Sequence, residues 1–383
     1  MSESRDEVAS HTIEQMGVWI ELFYDLVFVA AILVFSSAVA HLHDGARIGW
    51  VVIVFSAVWW VWLSTTIFAN RFRMTDLGHR LLILLQMFFV VLIAMEARAG
   101  VADDEAYLAV TYGLLVGTVA AMYWRAAHRG GPDAPFARRL AVLNTMASVC
   151  FVVVAPLPEP VRIVGSAVGL AVVILPAIVR SGRLGSFPAI DEGHLVERLG
   201  AFTIIVCGES FVKVAIAVSD SEVDGVDVVA LAFQFVLTFA LWASYFEDIP
   251  HAGINQRRLA PWFTFHLVAQ LGIAGTAIGV SKLVAIGFLD HLPAEDILEI
   301  MAALALVYLA LAGIGACTRR RPIRPLLVVR LTTALAVALV GVAAWKISWI
   351  DLVEGVALLT VVAIGHAFLV ARVRAETVVV PLV

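Results

Sequence analysis

The sequence predicts an all-α integral membrane protein, a helix bundle that crosses the bilayer about twelve times. Of its 383 residues, 61% are hydrophobic and only 15% are charged, whereas soluble domains carry about 45–50% apolar and about 25% charged residues. The mean hydropathy is +0.95. The apolar residues form runs near the roughly 20 residues that a membrane span needs. Short polar turns separate these runs, so no stretch is left for a soluble domain.

Six apolar runs follow an acidic N-terminal segment, residues 1–17, which lacks the basic start of a signal peptide. The predicted spans are residues 18–42, 48–68, 77–97, 107–124, 140–155 and 161–179. The fifth and sixth are joined by a proline-containing turn at 156–160, which is compatible with two full spans or with a re-entrant pair. Residues 18–180 therefore form the first predicted half of the protein.

Six further runs form the second predicted half, residues 181–372, before a short tail at 373–383. These spans are residues 195–218, 226–246, 262–288, 297–316, 326–345 and 350–371. Glu21 and Glu197 both lie in the first turns of a half, and the tryptophan-x-serine motif at 62–64 is repeated at 242–244. The sequence thus predicts a 6+6 pseudo-repeat with parallel halves, a design known in transporters.

Arginine placement predicts the orientation. The loops on the side of the N-terminus contain most of the arginines, whereas opposite loops such as 103–105 and 220–227 are acidic. Because cytoplasmic loops retain positive charge, we expect a multi-pass protein of the bacterial cytoplasmic membrane with both termini inside.

The predicted partners are the lipid bilayer and an unknown small solute or ion. No basic tail indicates nucleic acid. The G-x-x-x-G motifs at 113, 165 and 275 favour helix packing within the chain and also permit a homodimer.

Two signature segments carry a family resemblance. The first helix contains the run Glu21-Leu-Phe-Tyr-Asp25-Leu-Val-Phe, and the seventh contains Glu197-Arg198-Leu-Gly and then Gly208-Glu209-Ser210. With Asn70-Arg71-Phe72 at the end of the second helix, these segments resemble those of the bacterial low temperature requirement protein A family across nearly the whole chain. The resemblance implies a bacterial membrane protein of many helices and does not imply a particular reaction.

Ionisable residues inside a span cost roughly 2.5–3.5 kcal/mol each and usually mark a functional path. Glu21 and Asp25 are four residues apart, so they share a helix face, with Asp25 about 6 Å deeper. Two such carboxylates repel each other. They can coexist by sharing a proton, by holding a cation, or by pairing with Arg71 or Arg198.

A second charged stretch lies on the seventh helix. Glu209 is expected near mid-bilayer, with Ser210 beside it and Lys213 four residues further along the same face. Glutamate before lysine at this spacing can form an ion pair, so the stretch is either a self-neutralised structural pair or a substrate or coupling site. Glu21, Asp25, Glu209, Ser210 and Lys213 are therefore the predicted substrate or ion path.

A polar ring is predicted at the cytoplasmic helix ends, where it would form a vestibule or gate. Alternatively, these residues are solvated charges of the kind that collect at helix ends. The ring consists of Asn70, Arg71, His79, Glu197, Arg198, Glu247, Asp248 and His266.

The sequence predicts no catalytic residues, no metal site and no cofactor. Cys150, Cys207 and Cys317 lack the spacing of a zinc or redox motif, and no phosphate-binding glycine loop appears. These patterns favour a secondary transporter or permease with proton or cation coupling through intramembrane carboxylates. The alternatives are a membrane sensor or scaffold without transport, and an intramembrane enzyme that acts on a lipid-like substrate through the Glu209 and His266 regions.

Overall fold

The computed structural model describes most of the chain. The described residues are 19–28, 30–32, 34–35, 45–72, 74, 76–98, 105–178, 190–219, 225–246, 253–286, 294–318, 324–347 and 352–378. Nearly all of them are helical, and their only β-structure is an isolated bridge between Ile254 and Thr318. The predicted all-α class is confirmed.

Twelve helices follow one another in the described part of the chain. Helix α1 contains residues 19–28, 30–32 and 34–35. The others are α2 (Gly45–Phe72), α3 (Leu77–Arg98), α4 (Glu105–Arg129), α5 (Ala134–Val154), α6 (Glu159–Ile178), α7 (Glu192–Ser219), α8 (Gly225–Phe246), α9 (Leu259–Ile286), α10 (Ala294–Ala316), α11 (Arg324–Ile347) and α12 (Leu352–Val378).

Seven of the described helices are long and apolar enough to cross a membrane, namely α2, α3, α4, α5, α9, α10 and α11. Two shorter apolar stretches, Leu231–Phe246 and Ala357–Val373, lie in α8 and α12. Large apolar side chains such as Leu84 and Phe88 are exposed on α3, as expected of a surface that faces lipid. The helices therefore form a polytopic membrane bundle.

Helices α4 and α5 continue beyond the apolar runs that predicted them. Helix α4 ends at Arg129 rather than near residue 124, and α5 begins at Ala134 rather than near residue 140. Hydropathy missed these additional helical residues because they include arginines. A helix end that reaches polar surroundings tolerates such charges. A turn at 155–158 separates α5 from α6, so the fifth and sixth segments are two distinct helices.

The helices form two compact units. The first holds α1 to α6 and the part of α7 up to Arg198, and the second holds the rest of α7 and α8 to α12. In the first unit α3 packs on α4, α4 on α5, and α5 on α6. In the second unit α9 packs on α10, α10 on α11, and α12 on α8 and α11.

Glycines allow the close approaches within each unit. A Cβ on Gly113 of α4 would lie 2.9 Å from the Cβ of Phe151 on α5, and one on Gly169 of α6 would lie 2.8 Å from the ring of Phe151. In the second unit, a Cβ on Gly272 of α9 would lie 2.8 Å from the carbonyl oxygen of Ala303 on α10. Small residues drive helix packing in lipid in this way, so the motifs at 113 and 165 serve packing inside one chain.

A buried cluster of charges at the α1–α7 interface

Two residues of α1 face two residues of α7 in the first unit. Glu21 and Asp25 are one helical turn apart on α1, and His194 and Arg198 are one turn apart on α7. Side chains four residues apart lie one above the other on a helix, so the Glu21–Asp25 pair on α1 lies against the His194–Arg198 pair on α7. We call these four side chains the ionic cluster.

Asp25 lies at the buried end of the ionic cluster, with 0% of its surface exposed. Its Oδ1 accepts hydrogen bonds from Trp62 Nε1 at 2.7 Å and from Arg198 Nη2 at 2.8 Å. Its Oδ2 lies 2.7 Å from Arg198 Nη1. This contact is an ion pair but does not have the geometry of a hydrogen bond. The guanidinium also lies 6.0 Å from the centre of the Trp62 ring. A buried carboxylate of this kind needs such partners, because an unpaired one would be very costly.

Glu21 lies at the more exposed end of the ionic cluster, where its side chain is 25% exposed. Its Oε2 lies 2.9 Å from His194 Nε2 and 3.4 Å from Arg198 Nε. One guanidinium therefore contacts both carboxylates. With a neutral imidazole the four side chains carry a formal charge of −1, and a single added proton makes the set neutral.

Asn70, at the end of α2, fixes the tautomer of His194. Its side-chain Nδ2 donates to Asp191 O at 2.9 Å and lies 3.1 Å from His194 Nδ1, while its Oδ1 accepts from Asp191 N at 3.1 Å. Because an amide nitrogen only donates, Nδ1 of His194 is the acceptor and Nε2 carries the proton that points at Glu21. A continuous hydrogen-bonded chain thus runs from Asn70 through His194 to Glu21.

A second buried polar group lies next to the ionic cluster. Gln86 of α3 accepts hydrogen bonds through its Oε1 from the Tyr24 hydroxyl of α1 at 2.7 Å and from the Thr65 hydroxyl of α2 at 3.0 Å. Its Nε2 lies 3.2 Å from the Met122 sulfur. These bonds tie α1, α2 and α3 together beside Asp25 and Trp62, and so they hold the ionic cluster in place.

The structure describes six of the eight residues of the predicted polar ring. Asn70 and Arg198 belong to the site at α1 and α7, whereas Arg71 pairs with Asp133 at 2.6 Å. His79 is buried and stacks on Phe68, with ring centres 5.7 Å apart. The remaining ring members are placed as follows: Glu197 is exposed, His266 is buried in the second unit, and Glu247 and Asp248 lie outside the described residues.

Asp76, which the sequence did not single out, caps α3 and anchors the end of α4. Its Oδ1 accepts from His79 N at 3.1 Å, and its carboxylate contacts Arg125 and Arg129 at 2.5 Å each. Partial burial alone would raise the pKa of Asp76, but the His79 N–H and the two guanidinium groups outweigh it and hold this pKa below its usual value.

Glu209, Ser210 and Lys213 are all buried on the part of α7 that belongs to the second unit. The Ser210 hydroxyl donates to Val206 O at 3.3 Å, and Lys213 interacts electrostatically with Glu209. The stretch is therefore buried polar helix. No group of three histidine, cysteine or acidic residues among the described ones could hold a metal ion.

Sequence reasoning identified Glu21, Asp25 and Arg198 but missed Trp62, His194 and Gln86 as their supports. His194 precedes Arg198 by one turn on the same face of α7, and this spacing is the signal that could have identified it. Nothing local marks Trp62 or Gln86, because their partners lie on other helices.

Comparison with known proteins identifies relatives of the chain. The chain is similar to Uncharacterized protein RA0937 of Rhizobium meliloti (strain 1021), with 31% identity over 278 residues that cover 68% of this chain and 67% of that protein. The model of a family described as bacterial low temperature requirement A protein matches residues 18–368. The match includes both signature segments and every member of the ionic cluster, and the chain belongs to the bacterial low temperature requirement A (LtrA) family.

Proposed function

We propose that the protein is a secondary transporter of the bacterial cytoplasmic membrane, coupled to protons through the ionic cluster. The observation that carries the proposal is the sharing of one buried guanidinium by two carboxylates, Glu21 and Asp25. Ionisable groups in this setting are costly and are typical of proton relays in transporters.

The coupling step follows from the charge of the ionic cluster. In its charged form Asp25 holds Arg198 through two contacts and Glu21 holds it through one. A proton taken up by either carboxylate removes one of these attractions, since a neutral acid binds a guanidinium more weakly than a carboxylate does. Uptake of a proton would therefore loosen the hold of α1 on α7, which is the bistable contact that an alternating-access cycle needs.

Helix α7 would also line the substrate path, because Glu209, Ser210 and Lys213 follow Arg198 along it. These groups offer a carboxylate, a hydroxyl and an ammonium in a buried stretch. Such a set suits a small polar solute or a cation.

Two observations support the topology we propose, with parallel six-helix halves and both termini inside. The arginine-rich loops fall on the side of the N-terminus. The order of packed neighbours is also similar in the two units, since α3–α4, α4–α5 and α5–α6 correspond to α9–α10, α10–α11 and α11–α12.

Currents evoked by a pH jump test the proposal without knowledge of the substrate. Purified protein in liposomes on a solid-supported electrode should give a transient current when the external pH falls, and Asp25→Asn should abolish it. Glu197→Gln is the matched control, because Glu197 precedes Arg198 on α7 and is exposed. Equal currents in wild type and Asp25→Asn would reject proton coupling at this site.

A membrane scaffold is the second candidate, and one observation favours it. Both carboxylate oxygens of Asp25 already contact Trp62 or Arg198, as they would if Asp25 served only to hold the helices together. A scaffold predicts that Asp25→Asn lowers stability while no pH-evoked current exists even in the wild type.

A further inference from the structure

A group of buried polar side chains lies where α7, α8 and α9 meet in the second unit. Thr203 and Cys207 of α7, Tyr245 of α8, and His266 and Gln270 of α9 are all at most 4% exposed. Gln270 Nε2 donates to Thr203 Oγ1 at 3.1 Å, and the ring centres of Tyr245 and His266 are 5.8 Å apart. The Tyr245 hydroxyl lies close to the Thr203 hydroxyl, and Tyr245 interacts electrostatically with Cys207. We call these five side chains the α7–α9 polar core.

The first unit contains a similar set whose bonds are complete. There Gln86 of the third helix accepts from Tyr24 of the first and from Thr65 of the second. In the α7–α9 polar core, Gln270 instead bonds to Thr203, whose own hydroxyl donates to Leu199 O at 2.8 Å. The Tyr245 hydroxyl lies near Thr203, but no hydrogen bond of normal geometry joins them.

Two polar atoms of the α7–α9 polar core have no hydrogen-bond partner among the described residues, Tyr245 Oη and His266 Nε2. His266 Nδ1 lies 2.8 Å from Trp262 O. Since a carbonyl oxygen only accepts, Nδ1 carries the proton, and Nε2 of the neutral ring is an acceptor. A buried polar atom left unbonded costs about 1–3 kcal/mol. Each atom is therefore open to a further partner, the Tyr245 hydroxyl as a donor and His266 Nε2 as an acceptor.

The surroundings of the two atoms decide the charge of that molecule. Among the described residues, no charged side chain interacts electrostatically with Tyr245 or His266. An ion would have no countercharge here, whereas an uncharged molecule needs none. Gln234, on the same face of α8 about 16 Å away along the helix, also has an Oε1 without a partner among the described residues. Gln234 thus adds a further buried polar atom on this face of α8.

We infer that the α7–α9 polar core is a hydrated site for a small uncharged hydroxyl compound. Its chemistry is that of a molecule that donates to His266 Nε2 and accepts from Tyr245, and both water and a small alcohol or polyol have it. Buried water typically makes about three hydrogen bonds to groups that are otherwise unsatisfied. The inference goes beyond proton coupling at Asp25 and does not depend on it.

Cys207 serves as a reporter, because it belongs to the polar core. A single-cysteine protein, with Cys150→Ala and Cys317→Ala, is placed in lipid nanodiscs, and the S–H stretching band is followed by infrared spectroscopy after transfer to D₂O. The matched dry control is Val307→Cys in a cysteine-free protein, since Val307 is buried and packs tightly against Gly272. The deuterium exchange of Cys207 is expected to be at least tenfold faster than that of the control, and Tyr245→Phe with His266→Phe should slow it toward the control.

A second arm distinguishes water from a larger hydroxyl compound. Neutral 2-hydroxyethyl methanethiosulfonate labels Cys207 if a small alcohol fits, and water alone is the occupant if exchange is fast without labelling. The anionic 2-sulfonatoethyl reagent should label at least tenfold more slowly than the neutral one, or not at all. Exchange at Cys207 as slow as at Val307→Cys in the folded proteins would overturn the inference, and so would faster labelling by the anionic reagent. These results are independent of any proton current, so failure of one proposal is distinguishable from failure of the other.

Discussion

Replacement of Arg198 by methionine should destabilise the protein strongly. The change keeps the apolar length of the side chain and removes two contacts to Asp25 and one to Glu21. Because Asp25 is fully buried, its carboxylate is left without its cation. Loss of one partner of a buried ion pair costs about 3–5 kcal/mol, and we expect a loss of unfolding free energy in that range for Arg198→Met.

A double-mutant cycle separates the ion pair from the rest of the change. With Asp25→Asn already present, Arg198→Met no longer strands a buried charge, so the two changes together should cost less than their sum by about 2 kcal/mol or more. Glu21 keeps His194 as a partner in the double mutant. Reversible unfolding in mixed micelles, titrated with SDS and followed by circular dichroism, gives the four free energies.

The pair of Arg71 and Asp133 is the matched control. Its contact distance of 2.6 Å is as short, but its side chains are 30% and 29% exposed, and pairs near the surface are worth about 0–1 kcal/mol. The cycle of Arg71→Met with Asp133→Asn should therefore show a coupling below about 1 kcal/mol. Coupling energies that are equal in the two cycles would refute the view that burial makes Arg198 the central cation of the ionic cluster.

Three further predictions concern the supports of the site. Trp62→Phe removes a donor to buried Asp25 and should lower the free energy of unfolding in the same micelle titration by about 1.5–3 kcal/mol, the usual worth of a hydrogen bond to a charged group; no change would mean that Trp62 only packs. Gln86→Leu removes the acceptor of two buried hydroxyls, so it should lower the free energy of unfolding in this titration by on the order of 2 kcal/mol or more; an unchanged free energy would mean that the two hydroxyls find other partners. Because the pKa of Asp76 is lowered in the folded protein, its carboxylate contributes to the free energy of unfolding. This contribution is fully present above the pKa of the unfolded chain, about 3.9, and is lost as pH falls through the lower pKa of the folded protein. The stability difference between wild type and Asp76→Asn should accordingly be constant above about pH 5 and shrink below about pH 4, and an increase of this difference on acidification would contradict the assignment.

The sequence was sufficient to predict the membrane class, most helix positions and part of the ionic cluster. Apolar runs are a strong signal because hydrocarbon excludes unbonded backbone, and the helix periodicity correctly placed Glu21 and Asp25 on one face. Arg198 was one of two candidate partners for these carboxylates. In the structure Arg198 forms ion pairs with both carboxylates, whereas Arg71 forms an ion pair with Asp133.

The parts that sequence could not supply depend on which helices touch. The hydrogen bond between Trp62 and Asp25 joins residues that are 37 positions apart in the sequence, and the one between Asn70 and Asp191 joins residues that are 121 positions apart. No local pattern contains such pairs. The sequence also contains no sign that Arg71 would pair with Asp133 or that His79 would stack on Phe68 while it interacts electrostatically with Glu21.

Proton flux into proteoliposomes tests the central claim most directly. Protein with a pH-sensitive dye in the lumen is given an inward proton gradient and an imposed potential, and wild type is compared with Asp25→Asn, Glu209→Gln and the exposed control Glu197→Gln. The account predicts flux in wild type and in Glu197→Gln, and at least a tenfold loss in Asp25→Asn and Glu209→Gln, all in folded protein. Undiminished flux in Asp25→Asn, or none in wild type across a broad screen of ions and solutes, would contradict it.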